Sequence, residues 1–225
     1  MLDDVIIRPY KLSDRSAVRQ ICCDTAERGG PVESIFFDRA TFADLLMNYY
    51  TDFESAALWI ADYRGQVLGY LAGCLDTQRY NRLMLRYIVP NTIIRAIIRG
   101  VLLRIQTWRM LKSFLRSWQL GGFKRNIPLD KYPAHLHVNV KENFRGQHIG
   151  RRLIERFLRQ VKAAGLKGIH LTVNEKNASA CRFFEQMGFT VLSRHPMSLP
   201  SGDIPQIKYT AVYAKQLQDK QSLLI

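Results

Sequence analysis

Residues 142–157, ENFRGQHIGRRLIERF, begin as a polar turn and end as an amphipathic helix, with two glycines and three arginines crowded at the junction. The first turn of a helix carries backbone N–H groups without intrahelical partners, and the helix dipole adds roughly half a positive charge there. Placed after a strand, such a junction is a ready anion site. Gly146 and Gly150 leave the backbone open to a ligand, while Arg145, Arg151 and Arg152 add charge. A phosphate or pyrophosphate is the group expected. A basic, glycine-containing helix start with no ligand is the plain alternative. Neither the dinucleotide pattern G-x-G-x-x-G nor the phosphate-loop pattern G-x-x-x-x-G-K-[ST] is present.

Just upstream, HLHVNV has the two-residue period of a strand. It puts His135, His137 and Asn139 on one face and Leu136, Val138 and Val140 on the other. Histidine is the side chain best matched to proton transfer near neutral pH. Strand histidines also serve simply as hydrogen-bonded core residues. The pair at 135 and 137 could begin a metal site, but spacing supplies no third ligand, and no metal is expected.

These residues need a scaffold. VIIRPYKLSD reads as a short strand and a turn, with Ser13 or Asp14 capping a helix over about residues 15–25. FDRATFADLLMNYYTDF carries Phe42, Leu45, Leu46 and Tyr49 at helical spacing. ALWIADYRGQVLGYLAGCL is a hairpin about the turn DYRGQ. Residues 77–133 form a long, largely helical block. Then come the strand AHLHVNV, the helix of the opening stretch, the strand GIHLTV, the helix NASACRFFEQMGF, and the strands FTVLSR and IKYTAVYAKQL. Strands alternating with helices predict an α/β or α+β sheet with helices on its faces. No linker divides the chain, so residues 1–225 read as a single domain with an insertion at about 77–133.

Hydrophobic residues make up 47% of the chain and charged ones 23%, a balance that argues for a packed core and against disorder. The longest run without Asp, Glu, Lys or Arg, residues 65–75, falls well short of the roughly 20 apolar residues of a membrane-spanning helix. MLDDVIIRPY carries acids where a signal peptide carries bases. Cys22, Cys23, Cys74 and Cys181 show no metal-type spacing. Free thiols and a cytoplasmic setting are expected.

Two segments together resemble the GNAT superfamily of acetyl-coenzyme-A-dependent N-acetyltransferases. The first is VKENFRGQHIGRRLIERFL, whose Arg145-Gly146-Gln147-His148-Ile149-Gly150 is similar to that family's R/Q-x-x-G-x-G/A loop. The second supplies Asn177, Ala180, Phe183, Phe184, Gly188 and Phe189, similar to its N-x-x-A-x-x-F-Y…G-F segment. The resemblance extends over about 1–76 and 134–217. It implies a mixed, mostly antiparallel sheet of six to seven strands, splayed between strands 4 and 5, with the helical insertion before strand 4. It implies acetyl-CoA (coenzyme A) as cosubstrate, no metal, and an amine acceptor, either a small molecule or a peptide amine. The pyrophosphate would be held by the amides of 145–150, with Arg151 nearby. The pantetheine arm would run along Val138 and Val140 like an added strand, and Asn177 would cap the next helix and touch the coenzyme, near Ala180 and Phe184.

The reaction implied is direct attack of the amine on the thioester. An alkylamine of pKa about 10.4 is mostly protonated at neutrality, a mismatch of about 4 kcal/mol, so a base is needed. His137, nearest the expected thioester, is the first candidate, and Glu142 and His135 follow. A strand amide near Val138 could support the oxygen of the tetrahedral intermediate. Two departures matter. Phe184 stands where many relatives have a tyrosine thought to protonate the leaving thiolate. His148 replaces the loop's middle glycine, which suits the site if that residue is in helical geometry. A catalytically silent module binding coenzyme A or a partner is the alternative function.

The net charge of +14 is concentrated. Residues 77–133 hold twelve Lys and Arg against a single acid, Asp130, while the rest of the chain has twenty-one bases and eighteen acids. Within 91–120, Ile94, Ile97, Ile98, Val101, Leu102, Ile105, Trp108, Leu111, Leu115 and Trp118 recur mostly at three- and four-residue steps, giving one or two amphipathic helices. The leading expectation packs that stripe on the body, with the bases solvated. The second makes the block a wall of the acceptor groove that selects an acidic or extended substrate. Membrane-surface docking and RNA binding stand behind these; basic helices with Trp suit the former, and no recognised nucleic-acid module is present. Trp108, Phe114 and Trp118 could also serve a homodimer interface; monomer and homodimer both stay open.

Overall fold

The computed structural model describes residues 4–26, 29–124, 126–199 and 206–217. In chain order the elements are β1 (Ile6–Pro9), α1 (Arg15–Asp24), α2 (Arg39–Asp52), β2 (Leu58–Tyr63), β3 (Gln66–Cys74) and α3 (Thr77–Leu83). There follow α4 (Val89–Ile98), α5 (Ile105–Gln119), β4 (Ala134–Val140), α6 (Ile149–Ala163), β5 (Gly168–Asn174), α7 (Ala178–Gln186), β6 (Thr190–Leu199) and β7 (Gln206–Gln216). Seven strands form one sheet in the order β1-β2-β3-β4-β5-β7-β6. Every neighbouring pair is antiparallel except β4 and β5, which are parallel. The expected sheet and its splayed position are both present.

Helices cover both faces, which is why β2 and β3 are buried along nearly their whole length. On one face α6 turns Leu153, Ile154, Phe157 and Val161 inward, at the spacing of one helical face. Phe157 lies across Gly73, where an added Cβ would come within 2.2 Å of the ring. On the other face α1 and α2 bring Val18, Ile21, Met47 and Tyr49 against Ile60, Tyr70 and Ala72. Asp38 caps α2 by accepting from the Thr41 amide at 2.6 Å. The hairpin turn puts Arg64 and Gly65 in the left-handed region, with φ of +49° and +85°, as a tight two-residue connection requires.

The insertion departs from its leading expectation. Residues 91–120 do form two helices, but of the apolar stripe only Val101 is buried on the body, with Met110 packed beside it, and most large apolar side chains do not pack there. The buried positions are Thr92 and Ala96 on α4, and Thr107, Ser113 and Ser117 on α5. Ile94, Ile97, Ile98, Trp108, Leu115 and Trp118 are all more than half exposed. The cause is what the helices pack against. Helix α5 covers β6, the edge of the sheet, so it meets backbone rather than an apolar core. Ser117 Oγ accepts from the Ser198 amide at 2.8 Å and lies 3.2 Å from the Ser198 carbonyl. Just past the helix, Gly122 sits so near the Pro196 carbonyl that a Cβ would approach to 2.1 Å. Helix α4 rests on α2 through small residues and through Arg99, which donates to Thr41 Oγ1 at 2.8 Å and lies 3.7 Å from Asp38 and Asp44. So close an approach admits only small side chains, and the large ones are turned out.

The crowding at Gly73 gives a direct test of the α6 face. Gly73→Ala should lower unfolding stability by about 1–3 kcal/mol, the usual cost of overpacking, read from urea denaturation. Gly65→Ala, with open space around its Cβ position, should cost only the strain of its positive φ.

Candidate functional site

Strands β4 and β5 pair only at Ala134↔Ile169 and His135↔His170, and beyond that they part. On its other side β4 stays paired with β3 from Cys74↔His135 to Gly69↔Val140. The Lys141 amide donates to the Leu68 carbonyl at 2.9 Å. Hydrogen-bonding direction alternates along a strand, so the amides of His135, His137 and Asn139 also face β3. Those of Val138 and Val140 face the gap.

At the open end of the gap lies the loop of residues 145–150. Gly146 has φ +77° and His148 φ +59°, and α6 begins at Ile149. His148 is thus left-handed, not helical as expected, a conformation that costs a non-glycine residue roughly 1–2 kcal/mol. Left-handed residues two apart curl the main chain into the kind of concave turn that collects N–H groups for an anion. An added Cβ at Gly150 would meet nothing closer than the Phe183 ring at 3.5 Å. Gln147 Oε1, in the same loop, is buried without a hydrogen-bond partner. A phosphate-bearing ligand fits the concave turn and the open backbone at Gly150; the Gln147 oxygen, itself an acceptor, adds nothing to that fit.

The arginines divide their work. Arg145 donates through Nε to the Val140 carbonyl (3.2 Å) and through Nη2 to the Gly29 carbonyl (3.0 Å), tying the loop down. Arg152 reaches the Val5 carbonyl at 2.7 Å. Arg151 is exposed. Asn177 caps α7 by accepting from the Ala180 amide at 3.1 Å. Phe184 is buried, its ring centroid 5.7 Å from that of Phe189 and 6.4 Å from that of Tyr213.

A cavity of about 490 Å³ opens where the strands part. His135, His137, His170 and Thr172 line it from the sheet, and Leu46, Tyr50, Thr77, Tyr80 and Asn81 from α2 and α3. Phe123, Ile127 and Leu129, from the end of the insertion, close it. Leu136 and Leu171, of opposite strand parity, also line it, so the space reaches through the gap. The insertion contributes to the cavity wall, and that contribution is apolar: among the described residues no acid, lysine or arginine lines the cavity.

Hydrogen bonds assign the histidines. Thr77 Oγ1 gives its one proton to the Pro133 carbonyl at 2.6 Å. Its other neighbour, His135 Nδ1 at 2.8 Å, must therefore be the donor. His135 Nε2 is then the acceptor for the Tyr50 hydroxyl at 3.0 Å. Both nitrogens of His135 are thus engaged within the protein. His170 Nδ1 donates to the Tyr132 carbonyl at 2.9 Å. His137 Nε2 lies 3.2 Å from Asn139 Nδ2, which also reaches the Tyr70 hydroxyl at 3.1 Å. Burial pushes the His137 pKa down to about 4. Burial, helped by His170 and His137, takes His135 to about 3. Glu142 sits in a short turn after β4, exposed and off the cavity wall.

Of the sequence candidates, His137, Val138, Val140 and the loop at 145–150 gather about the gap. Tyr50, Thr77, Tyr80, His170 and Thr172 were missed. Alternation in GIHLTV could have found His170 and Thr172, on one face of β5. No local signal marks the others. Among the described residues no group of His, Cys, Asp and Glu could hold a metal ion.

Residues 116–189 match the family model described as Acetyltransferase (GNAT) family. The segment starts at the end of α5 and includes the loop, α6 and α7. Among solved structures, the protein called SsHAT superposes with a TM-score of 0.69 at 25% identity, over 96% of this chain and all of that one. yncA from Salmonella typhimurium, solved with its cofactor acetyl-CoA, gives 0.59 at 16% identity, over 98% of each chain. The ribosomal-protein-alanine N-acetyltransferase of Brucella melitensis gives 0.56 at 16%, over 94% and 99%.

Burying neutral histidines makes the fold acid-sensitive in a defined window. In the unfolded chain His135 and His137 bind protons near pH 6.5, but in the folded chain only near pH 3 to 4. The unfolded state binds more protons between those limits, so stability falls as pH drops from about 6.5 to about 4. His135→Asn/His137→Asn should flatten that slope in denaturation curves taken across the window.

Proposed function

We propose that the chain, which resembles the GNAT family in its fold and over residues 116–189, transfers the acetyl group of acetyl-CoA to an apolar, weakly basic amine. The observation that carries this reading is the gap between β4 and β5, with the loop of 145–150 at one end and the His137 cavity opening from it. Coenzyme A supplies the acetyl thioester. The amides of 145–150, at the start of α6, bind its pyrophosphate. The amides of Val138 and Val140 hold the extended arm and orient the thioester for direct attack by the amine.

His137 takes the proton lost by the attacking nitrogen at Nε2, once that atom gives up the hydrogen bond it accepts from Asn139 Nδ2. At a pKa of about 4 it cannot strip an alkylammonium near 10.4, since six units cost about 8 kcal/mol. The base therefore suits an amine that enters uncharged, of which aromatic amines are the plainest class. The walls agree: Tyr50, Tyr80, Phe123, Ile127 and Leu129 offer flat and aliphatic surface, and no carboxylate is placed to hold an ammonium. One observation favours a silent coenzyme-binding module instead. Phe184 is buried and has no proton for a leaving thiolate.

Thiol release from acetyl-CoA should be fastest with aromatic amines and slow with alkylamines and peptides below pH 8. His137→Ala should lower kcat by about a hundredfold with little change in KM for acetyl-CoA. Stabilisation by coenzyme A without thiol release on any amine would favour the silent module. Gly150→Ala should leave Tm unchanged, because the protein has room for the methyl group, yet weaken coenzyme A binding in calorimetry. Unchanged affinity would remove the loop from the coenzyme site.

A further inference from the structure

We propose that α5 and the turn leading into it form a docking face for the surface of an anionic lipid bilayer. On α5, Trp108, Leu111, Leu115 and Trp118 fall at i, i+3, i+7 and i+10, one stripe along a helix of about 22 Å, and all four are exposed. Arg109, Lys112 and Arg116 run beside that stripe at the same spacing and are also exposed. In the turn between α4 and α5, Leu103 is 89% exposed, and Ile98, at the end of α4, is 78% exposed. Large apolar side chains turned to solvent along one helix face mark an interaction site.

The charge pattern selects the occupant. No Asp or Glu occurs between Asp76 and Asp130, so the helix brings no acid of its own to stand beside Lys112 and Arg116. Two-fold pairing with a second copy would set these cations against their own images. Nucleic acid would answer the charge but would leave the protruding Leu and Trp side chains against phosphate. A bilayer with anionic headgroups meets both: the tryptophans and leucines enter the headgroup boundary and the arginines and lysine meet lipid phosphates. The helix lies on the surface and does not cross it, because no helix among the described residues is long and apolar enough to span a membrane. The stripe faces outward because the opposite side of α5 is held to the backbone of β6 through Ser117. This inference is independent of the reading of the cavity.

The test is co-sedimentation of the full chain with vesicles of phosphatidylcholine, alone or mixed with phosphatidylglycerol, together with tryptophan emission. Trp59 is buried and bonded to Gln160, so a blue shift reports on Trp108 and Trp118. Binding to the mixed vesicles with a blue shift, and little binding to the neutral ones, is expected. Lys112→Glu/Arg116→Glu should weaken partitioning at least about tenfold. Trp108→Ser/Leu115→Ser should abolish it. Lys112, Leu115 and Arg116 face solvent and Trp108 makes one exposed hydrogen bond, to the Leu102 carbonyl at 3.1 Å, so Tm should change little and coenzyme A binding should hold in both variants. The proposal is overturned by absence of binding to mixed vesicles, or by equal binding to neutral ones. It is also overturned if the wild type is a dimer by sedimentation velocity that Trp108→Ser/Leu115→Ser renders monomeric.

Discussion

Beyond His135 and His170 the sheet stops pairing with itself, and the rest of the molecule is arranged around that break. A buried backbone amide left without a partner costs about 1–3 kcal/mol, so adjacent strands ordinarily stay zipped. Here each strand is held from its other side. β4 is paired with β3 along its length, and β5 with β7 from Gly168↔Gln216 to Asn174↔Thr210. The point of divergence is pinned by polar contacts: His135 between Thr77 and Tyr50, and His170 against the Tyr132 carbonyl. Two half-sheets, each well paired outward, meet at a short seam and leave main-chain amides facing open space.

The same seam fixes the insertion and tunes the histidines. Thr77, its first residue, gives both its amide (2.9 Å) and its hydroxyl (2.6 Å) to the carbonyl of Pro133, its last. One residue thus closes the base of the insertion and sets the tautomer of His135. Packing of α2 and α3 over the strands buries His135 and His137, and burial disfavours their charged forms. The result, among the described residues, is a cavity lined by no acid, lysine or arginine in a protein of net charge +14.

Helix α5 shows how an edge strand can invert a helix. Periodicity in 91–120 is strong, and an apolar stripe ordinarily means an inward face. The stripe points outward because the helix docks on backbone, where Ser113 and Ser117 fit and Trp or Leu would not. Amphipathic pattern reports that a face is distinct; the partner surface decides which face is buried.

Much of the scaffold was legible from local signals. The strands, the helix at 15–25, and the turn and helix start within 142–157 follow from two-residue and helical periods, from glycine placement and from capping chemistry, all written over a few consecutive residues. The amides of Val138 and Val140 were expected at the gap through resemblance, and the Lys141–Leu68 bond sets their direction. Tertiary structure alone decided that His135 is held at both ring nitrogens while His137 is held at one, by Asn139, since Tyr50 and Thr77 are far away in sequence. It alone placed Tyr80 and Phe123 on the cavity and turned Trp108 and Trp118 to solvent. Periodicity measures how a segment differs from one side to the other. What each side touches depends on contacts between distant parts of the chain, and no short window of residues contains them.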